Sequence, residues 1–161
     1  MDIRLIARSG LLAALYAALT LAPGLNSLAY GQVQFRVSEG LLPLATVDPA
    51  AVVGLTLGTA IANTASPMGL ADVVFGSLLT LVATLLMYRI GPRWLALVVP
   101  IVVNGLGVPI ELALVLDLPF WYSVLWVTAG EAAVMLTLGI IVLKVVRSGA
   151  LWRWGRPHPR V

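Results

Sequence analysis

The sequence predicts an all-α integral membrane protein of six transmembrane helices with both termini in the cytoplasm, and three observations predict it. First, 60% of the 161 residues are hydrophobic and only 11% are charged, where a soluble domain is roughly a quarter charged. Mean hydropathy is +1.01. A globular core cannot absorb so much apolar surface, whereas spans of ~20 residues can, and this length allows about six of them. Second, helix breakers divide the chain into six apolar runs. Third, the basic residues fall almost entirely on one side of the resulting topology. The chain therefore reads as one transmembrane domain, 1–147, followed by a basic cytoplasmic tail, 148–161.

The helices are expected at 5–24, 36–47, 50–64, 70–89, 93–116 and 120–147. The separators are Pro23-Gly24-Leu25-Asn26, Asp48-Pro49, Ser66-Pro67-Met68-Gly69, Gly91-Pro92 and Asp117-Leu118-Pro119, each holding a residue that starts or ends a helix. In the first helix Arg4 and Arg8 precede LLAALYAALTLA, which resembles a secretory signal. That reading fails because apolar segments continue to residue 147. Ala7, Gly10, Ala14 and Ala18, with Ala13 and Ala17 beside them, form a strip of small residues that lets another helix approach closely. The partner is either a helix of this chain or a separate membrane protein.

The connection that follows holds Asn26, Tyr30, Gln32, Gln34, Phe35 and Arg36, polar and aromatic where a turn would suffice, and is expected to fold over the external opening as a lid. The segments 36–47 and 50–64 fall short of a perpendicular span and lie beside Gly/Pro-rich sequence, so they are half-buried or tilted and point to a binding site. Six helices put Arg4, Arg8, Arg89, Arg93, Lys144, Arg147, Arg153, Arg156 and Arg160 on one side and only Arg36 on the other. Basic residues stay on the cytoplasmic side, which sets the orientation. A five-helix count would lose this asymmetry. Trp152 and Trp154, beside Arg153 and Arg156, read as an interfacial anchor.

Composition also removes function classes. There is no cysteine, and the single histidine, His158, lies in the polar tail, so neither thiol chemistry nor a Cys/His metal site is expected. The only lysine, Lys144, sits in IIVLKVV, and no GxxxxGK[ST] motif exists to cradle nucleotide phosphates. The chain cannot energise transport by a P-loop mechanism. No catalytic constellation and no cofactor are expected, and the arginines lie at segment ends rather than on one nucleic-acid-binding face. A multi-pass position in the plasma membrane follows.

A charged side chain at the centre of a span costs ~2.5–3.5 kcal/mol, so each intramembrane carboxylate needs a partner or a polar cavity. Glu39, Asp72, Glu111 and Glu131 qualify, and on this topology all lie in the outer half of the membrane with Asn63 at the same level. Asn104 and Glu111, seven residues apart, share one face of the fifth helix. Each has a plainer reading. Arg36 and Glu39 can be a local ion pair; Asp72 can complement a helix N-terminus; Glu111 can reach the outer interface; and Glu131 can be paired for structure alone. Phe120, Trp121, Tyr122 and Trp126 offer either flat surfaces for a planar ring or an interfacial belt.

The stretches ALYAALT (14–20), QFRVSEGLLPL (34–44), DPAAVVGLTLGTAIAN (48–63), DVVFGSLLTL (72–81), the NG at 104–105 and GEA (130–132) together resemble the QueT family, substrate-binding S-components of energy-coupling factor (ECF) transporters. The resemblance implies an S-component-like six-helix fold that imports a queuosine precursor, 7-aminomethyl-7-deazaguanine. It implies partners too: a transmembrane coupling protein, met by small residues of the first helix such as Ala14 and Ala18 or Ala13 and Ala17, and two cytoplasmic ABC ATPases. Gly40 and the Arg/Trp/Pro-rich tail depart slightly from the family pattern.

For such a ligand, a carboxylate meets the paired N–H donors of the base with two parallel bonds. Glu39 or Glu131 is expected to read that edge, and a second carboxylate among Glu131, Asp72 and Glu111 to balance the ammonium. Asn104, Gln34 or Asn63 would serve the remaining acceptor, with Arg36 available from the loop. Phe35, Tyr122 or Trp126 would stack the ring. The alternatives are an S-component for another flat vitamin or nucleobase, a proton-coupled carrier titrating Glu111 and Glu131, and a structural scaffold.

Overall fold

The structure is a computed structural model that describes residues 2–30 and 34–149, apart from the side chains at 26 and 27. Gln32, the side chain of Asn26, and the tail residues Trp152, Arg153, Trp154, Arg156, His158 and Arg160 lie outside the described part. The elements are α1 (Ile3–Leu21), a short α2 (Asn26–Ala29), a 3-10 helix (Val37–Thr46), α3 (Pro49–Asn63) and α4 (Leu70–Ile90). A 3-10 turn (Trp94–Leu97) leads into α5 (Val98–Leu116), and α6 (Phe120–Val134), a π turn (Met135–Gly139) and α7 (Ile140–Arg147) follow without a break. Among the described residues everything regular is helical.

Four stretches are long and apolar enough to cross a membrane: Ile3–Leu21, Leu70–Ile90, Trp94–Leu116 and Phe120–Arg147. The other two expected segments are short, as their sequence suggested. At 1.5 Å per residue the 15 residues of α3 span about 22 Å, against a hydrocarbon layer of about 30 Å. The segment expected as a helix over 36–47 is a 3-10 helix of 10 residues, about 20 Å long. Pro43 explains the tighter winding, since it has no N–H and in an α-helix its ring would meet the carbonyl of Glu39.

This 3-10 helix is the centre of the molecule. It packs against α1, α3, α4, α6, the π turn and α7, and Ser38, Glu39, Gly40, Leu42, Pro43, Ala45 and Thr46 are all buried. Around it the largest core cluster gathers Tyr16, Leu42, Leu55, Met87, Leu97, Met135 and Leu143. The outer faces are apolar instead of polar: Leu11, Leu57, Leu78, Val102, Leu125 and Ile141 are exposed, while Glu39, Asn63, Asp72 and Glu131 are buried. Water would reject that distribution; a bilayer favours it.

Small residues set how closely α1 meets α3. A Cβ on Gly54 would stand 2.5 Å from the Ser9 carbonyl oxygen, and one on Gly58 would stand 2.8 Å from that of Ala13, so backbone meets backbone here. The Ser9 hydroxyl donates to the Ala50 carbonyl at 3.0 Å. Asp48 caps α3 by accepting from the Ala50 N–H at 2.9 Å and pairs with Arg8 at 3.2 Å. The strip on α1 is thereby divided. Ala13 and Ala17 are buried inside the chain, whereas Gly10, Ala14 and Ala18 face outward. The expectation that Ala13 and Ala17 serve a separate protein is corrected, because α3 already covers that face.

Candidate binding site

Four polar contacts between residues distant in sequence bring the site together. The 3-10 helix directs Glu39 at α1, where the Tyr16 hydroxyl donates to Glu39 Oε1 at 2.5 Å. One turn further along α1, Thr20 and Ser38 share a hydrogen bond of 2.7 Å. At the start of α4, Asp72 accepts from Asn63 Nδ2 at 2.8 Å and pairs with Arg36 Nη2 at 3.4 Å. Gly76 makes room for this, since a Cβ there would lie 2.5 Å from both Asn63 Nδ2 and Asp72 Oδ1.

Arg36 is held from the loop side as well. Its Nε donates to the Ala29 carbonyl at 3.0 Å, its guanidinium lies 5.1 Å from the Tyr30 ring centre, and the Tyr30 hydroxyl donates to the Ala62 carbonyl at 2.5 Å. The described part of the loop is thus latched to the end of α3 and the start of α4. The plain reading of Arg36 and Glu39 as an ion pair gives way: Arg36 takes Asp72, and Glu39 takes Tyr16. Asp72 lies in the first turn of α4, but its side chain is engaged in the buried network.

Between these groups is a narrow, partly open cavity lined by Gln34, Arg36, Glu39, Gly76, Thr80, Asn104, Val108, Val127 and Glu131. Asn104 reaches Glu131 from the neighbouring helix. Several lining atoms have no partner: Gln34 Nε2, Glu39 Oε2 and Glu131 Oε1, with Asn63 Oδ1 just behind. Buried polar atoms are nearly always satisfied, so this set is suited to a polar guest. The cavity's acids outnumber its cations: Glu39 and Glu131 line it and Asp72 backs it, against a single buried guanidinium, Arg36, and Glu111 is buried nearby. Among the described residues these acids do not converge as a metal-ligand set.

Of the residues singled out in the sequence, Gln34, Arg36, Glu39, Asn104 and Glu131 line the cavity, and Asn63 and Asp72 back it. Glu111 is buried rather than at the interface, but does not line it. Three aromatic candidates are elsewhere. Phe35 packs against the main core, and Tyr122 and Trp126, 6.0 Å apart edge to face, are exposed on the outside of α6 with Trp121. The helical period explains the last correction: Ser123 and Val127 take the inward positions of α6, which turns 122 and 126 outward. Tyr16, Thr80, Val108 and Val127 were missed. Only Tyr16 carried a signal, a hydroxylated ring amid the alanines of ALYAALT.

A model of the QueT transporter family matches residues 6–148. The chain belongs to the QueT transporter family. The family is one of transporters, not enzymes, and with four helices long and apolar enough to cross a bilayer the chain is a multi-pass protein of the plasma membrane. The "Queuosine precursor transporter QueT" of Lactococcus lactis subsp. cremoris (strain MG1363) is 43% identical over 72 residues, 45% of this chain and 42% of that protein. The alignment spans under half of the relative's length. No solved structure matches the chain.

Proposed function

We propose that this QueT-family chain is the membrane-embedded, substrate-binding subunit of an ECF-type importer that captures 7-aminomethyl-7-deazaguanine from outside. One observation carries the reading: Glu39 and Glu131 line the cavity and Asp72 backs it, with Glu111 buried nearby, against one guanidinium, Arg36, and carboxylate oxygens of Glu39 and Glu131 are unpartnered there. Such a site favours a cation rich in N–H donors and disfavours an anion. The relative named as a queuosine precursor transporter supports the same substrate class.

In this reading Glu39 and Glu131 accept from the N–H edge of the base, and Asn104 and Gln34 meet its oxygen and ring nitrogen. The ring is clamped by Val108 and Val127 in place of the aromatic side chains expected from sequence. Because the cavity is narrow, the base enters by parting side chains, with the Tyr30–Arg36 latch releasing and re-forming over it. The chain crosses the membrane six times, α3 and the 3-10 helix completing the count, with both termini and the basic tail 148–161 in the cytoplasm. A coupling protein docks on the exposed Gly10, Ala14 and Ala18 face of α1, and two cytoplasmic ABC ATPases supply the energy.

Removing one partner of a buried charge-assisted bond costs ~2–5 kcal/mol, a loss of roughly 30-fold to several thousand-fold in affinity. Calorimetry in detergent with Glu39→Gln and Glu131→Gln is expected to show losses of that size for the aminomethyl deazaguanine. Unchanged affinity in both would remove them from the site. Tighter binding of thiamine, riboflavin or guanine would instead assign the site to another flat ligand.

A further inference from the structure

Glu111 and Ser123 are buried on α5 and α6 outside the lining of the cavity. Glu111 is 3% exposed, and neither of its carboxylate oxygens has a partner; Ser123 is 2% exposed, and its hydroxyl has none either. Burying a carboxylate in this condition is costly unless something arrives to meet it.

Helix periodicity places the pair. Asn104 and Val108 of α5 line the cavity, and Glu111 continues their stripe at the next turn. Glu131 and Val127 of α6 line it from the other side, and Ser123 continues that stripe in turn. The two helices are antiparallel, joined through Asp117–Pro119, and cross tightly where a Cβ on Gly105 would stand 3.3 Å from that of Thr128. The stripes therefore match level for level: Asn104 with Glu131, Val108 with Val127, Glu111 with Ser123. An apolar belt separates two polar tiers, and the upper one lies near enough to Asp72 and Arg36 to feel their charges.

The geometry points to Glu111 and Ser123 as the second tier of the substrate site, taking a primary ammonium on an arm that extends past Val108 and Val127 while these clamp the flat base on the Glu39, Asn104 and Glu131 tier. This rests on the aminomethylated base proposed above and assigns its cationic end. The other acids are partly taken: Asp72 by Arg36 and Asn63, Glu39 by Tyr16, and Glu131 by Asn104. Glu111 keeps both oxygens open. An ammonium has three donors, which two carboxylate oxygens and one hydroxyl match. Seven residues of α5 separate the tiers, about 10 Å along the axis, a length that a fused bicycle with a one-carbon arm covers once side chains reach in from both ends.

Calorimetry on the full chain in detergent, comparing 7-aminomethyl-7-deazaguanine with its uncharged 7-cyano analogue, tests the assignment. Glu111→Gln is expected to weaken the aminomethyl base by about 30-fold or more and the nitrile by no more than about threefold. Ser123→Ala should give a smaller loss of about two- to tenfold, again confined to the aminomethyl base. Equal losses for both bases, or an unchanged affinity for the aminomethyl base, overturn it. If Glu111→Gln fails to fold by thermal melting, Ser123→Ala carries the same selective-or-equal outcome. Binding of neither base to the unmodified chain overturns the substrate reading and this assignment with it, whereas equal losses overturn the assignment alone.

Discussion

At the scale of single residues, the site rests on a few buried polar contacts whose removal has calculable effects. Tyr16→Phe deletes one hydroxyl and leaves Glu39 short of its donor. Since a hydrogen bond to a charged group contributes about 1.5–3 kcal/mol to the fold, the melting temperature should fall, and calorimetry should show weaker ligand binding because Glu39 is no longer held in place. Arg36→Met goes further, because it leaves Asp72 buried with its cation gone. Losing one member of a buried pair destabilises by about 3–5 kcal/mol, so thermal melting in detergent should show a large drop, partly restored by adding Asp72→Asn. The intramembrane acids were legible in the sequence because charge in an apolar run needs a reason. Their partners were not: Tyr16 is 23 residues from Glu39 and Asp72 is 36 from Arg36, and no local pattern links positions so far apart. The aromatics misled for a related reason. A ring near a helix start serves a pocket or a lipid interface equally well, and only the inward phase of Ser123 and Val127 decides.

At the scale of elements, glycines set the distances. Gly58→Leu would drive a side chain into the Ala13 backbone and the Tyr16 Cβ. Overpacking of this kind costs about 1–3 kcal/mol, and because Tyr16 moves with α1, ligand affinity should fall together with melting temperature. Gly76→Ala should separate Asn63 from Asp72 and weaken binding with a smaller effect on stability, which the same pair of measurements distinguishes. Helix positions were readable because Pro, Gly and Asp mark their ends: Asp48 and Pro49 start α3, and Asp117, in the left-handed region at φ 54°, ends α5. The winding of the segments was harder to read. Neither the 3-10 form of Val37–Thr46, for which Pro43 is the local cue, nor the π turn at Met135–Gly139 has a hydrophobic period that distinguishes it from an α-helix, and the two pack against each other.

At the scale of the molecule, the proposed six-pass arrangement has a direct check, since the chain contains no cysteine. With a membrane-impermeant thiol reagent on intact cells, Asp117→Cys is expected to label from outside and Arg93→Cys only after permeabilisation; the reverse pattern would invert the orientation. The overall inside-out character was plain from composition, while the division of the α1 strip needed three dimensions. That division makes α1 a helix with two audiences. Through Tyr16 it holds the acid at the floor of the pocket, and on its back it shows Gly10, Ala14 and Ala18 to whatever lies alongside. A helix turns as a rod, so a guest that tugs on Glu39 cannot rotate Tyr16 without swinging the bare alanine face by the same angle, and a neighbour resting there would register full from empty without touching the guest.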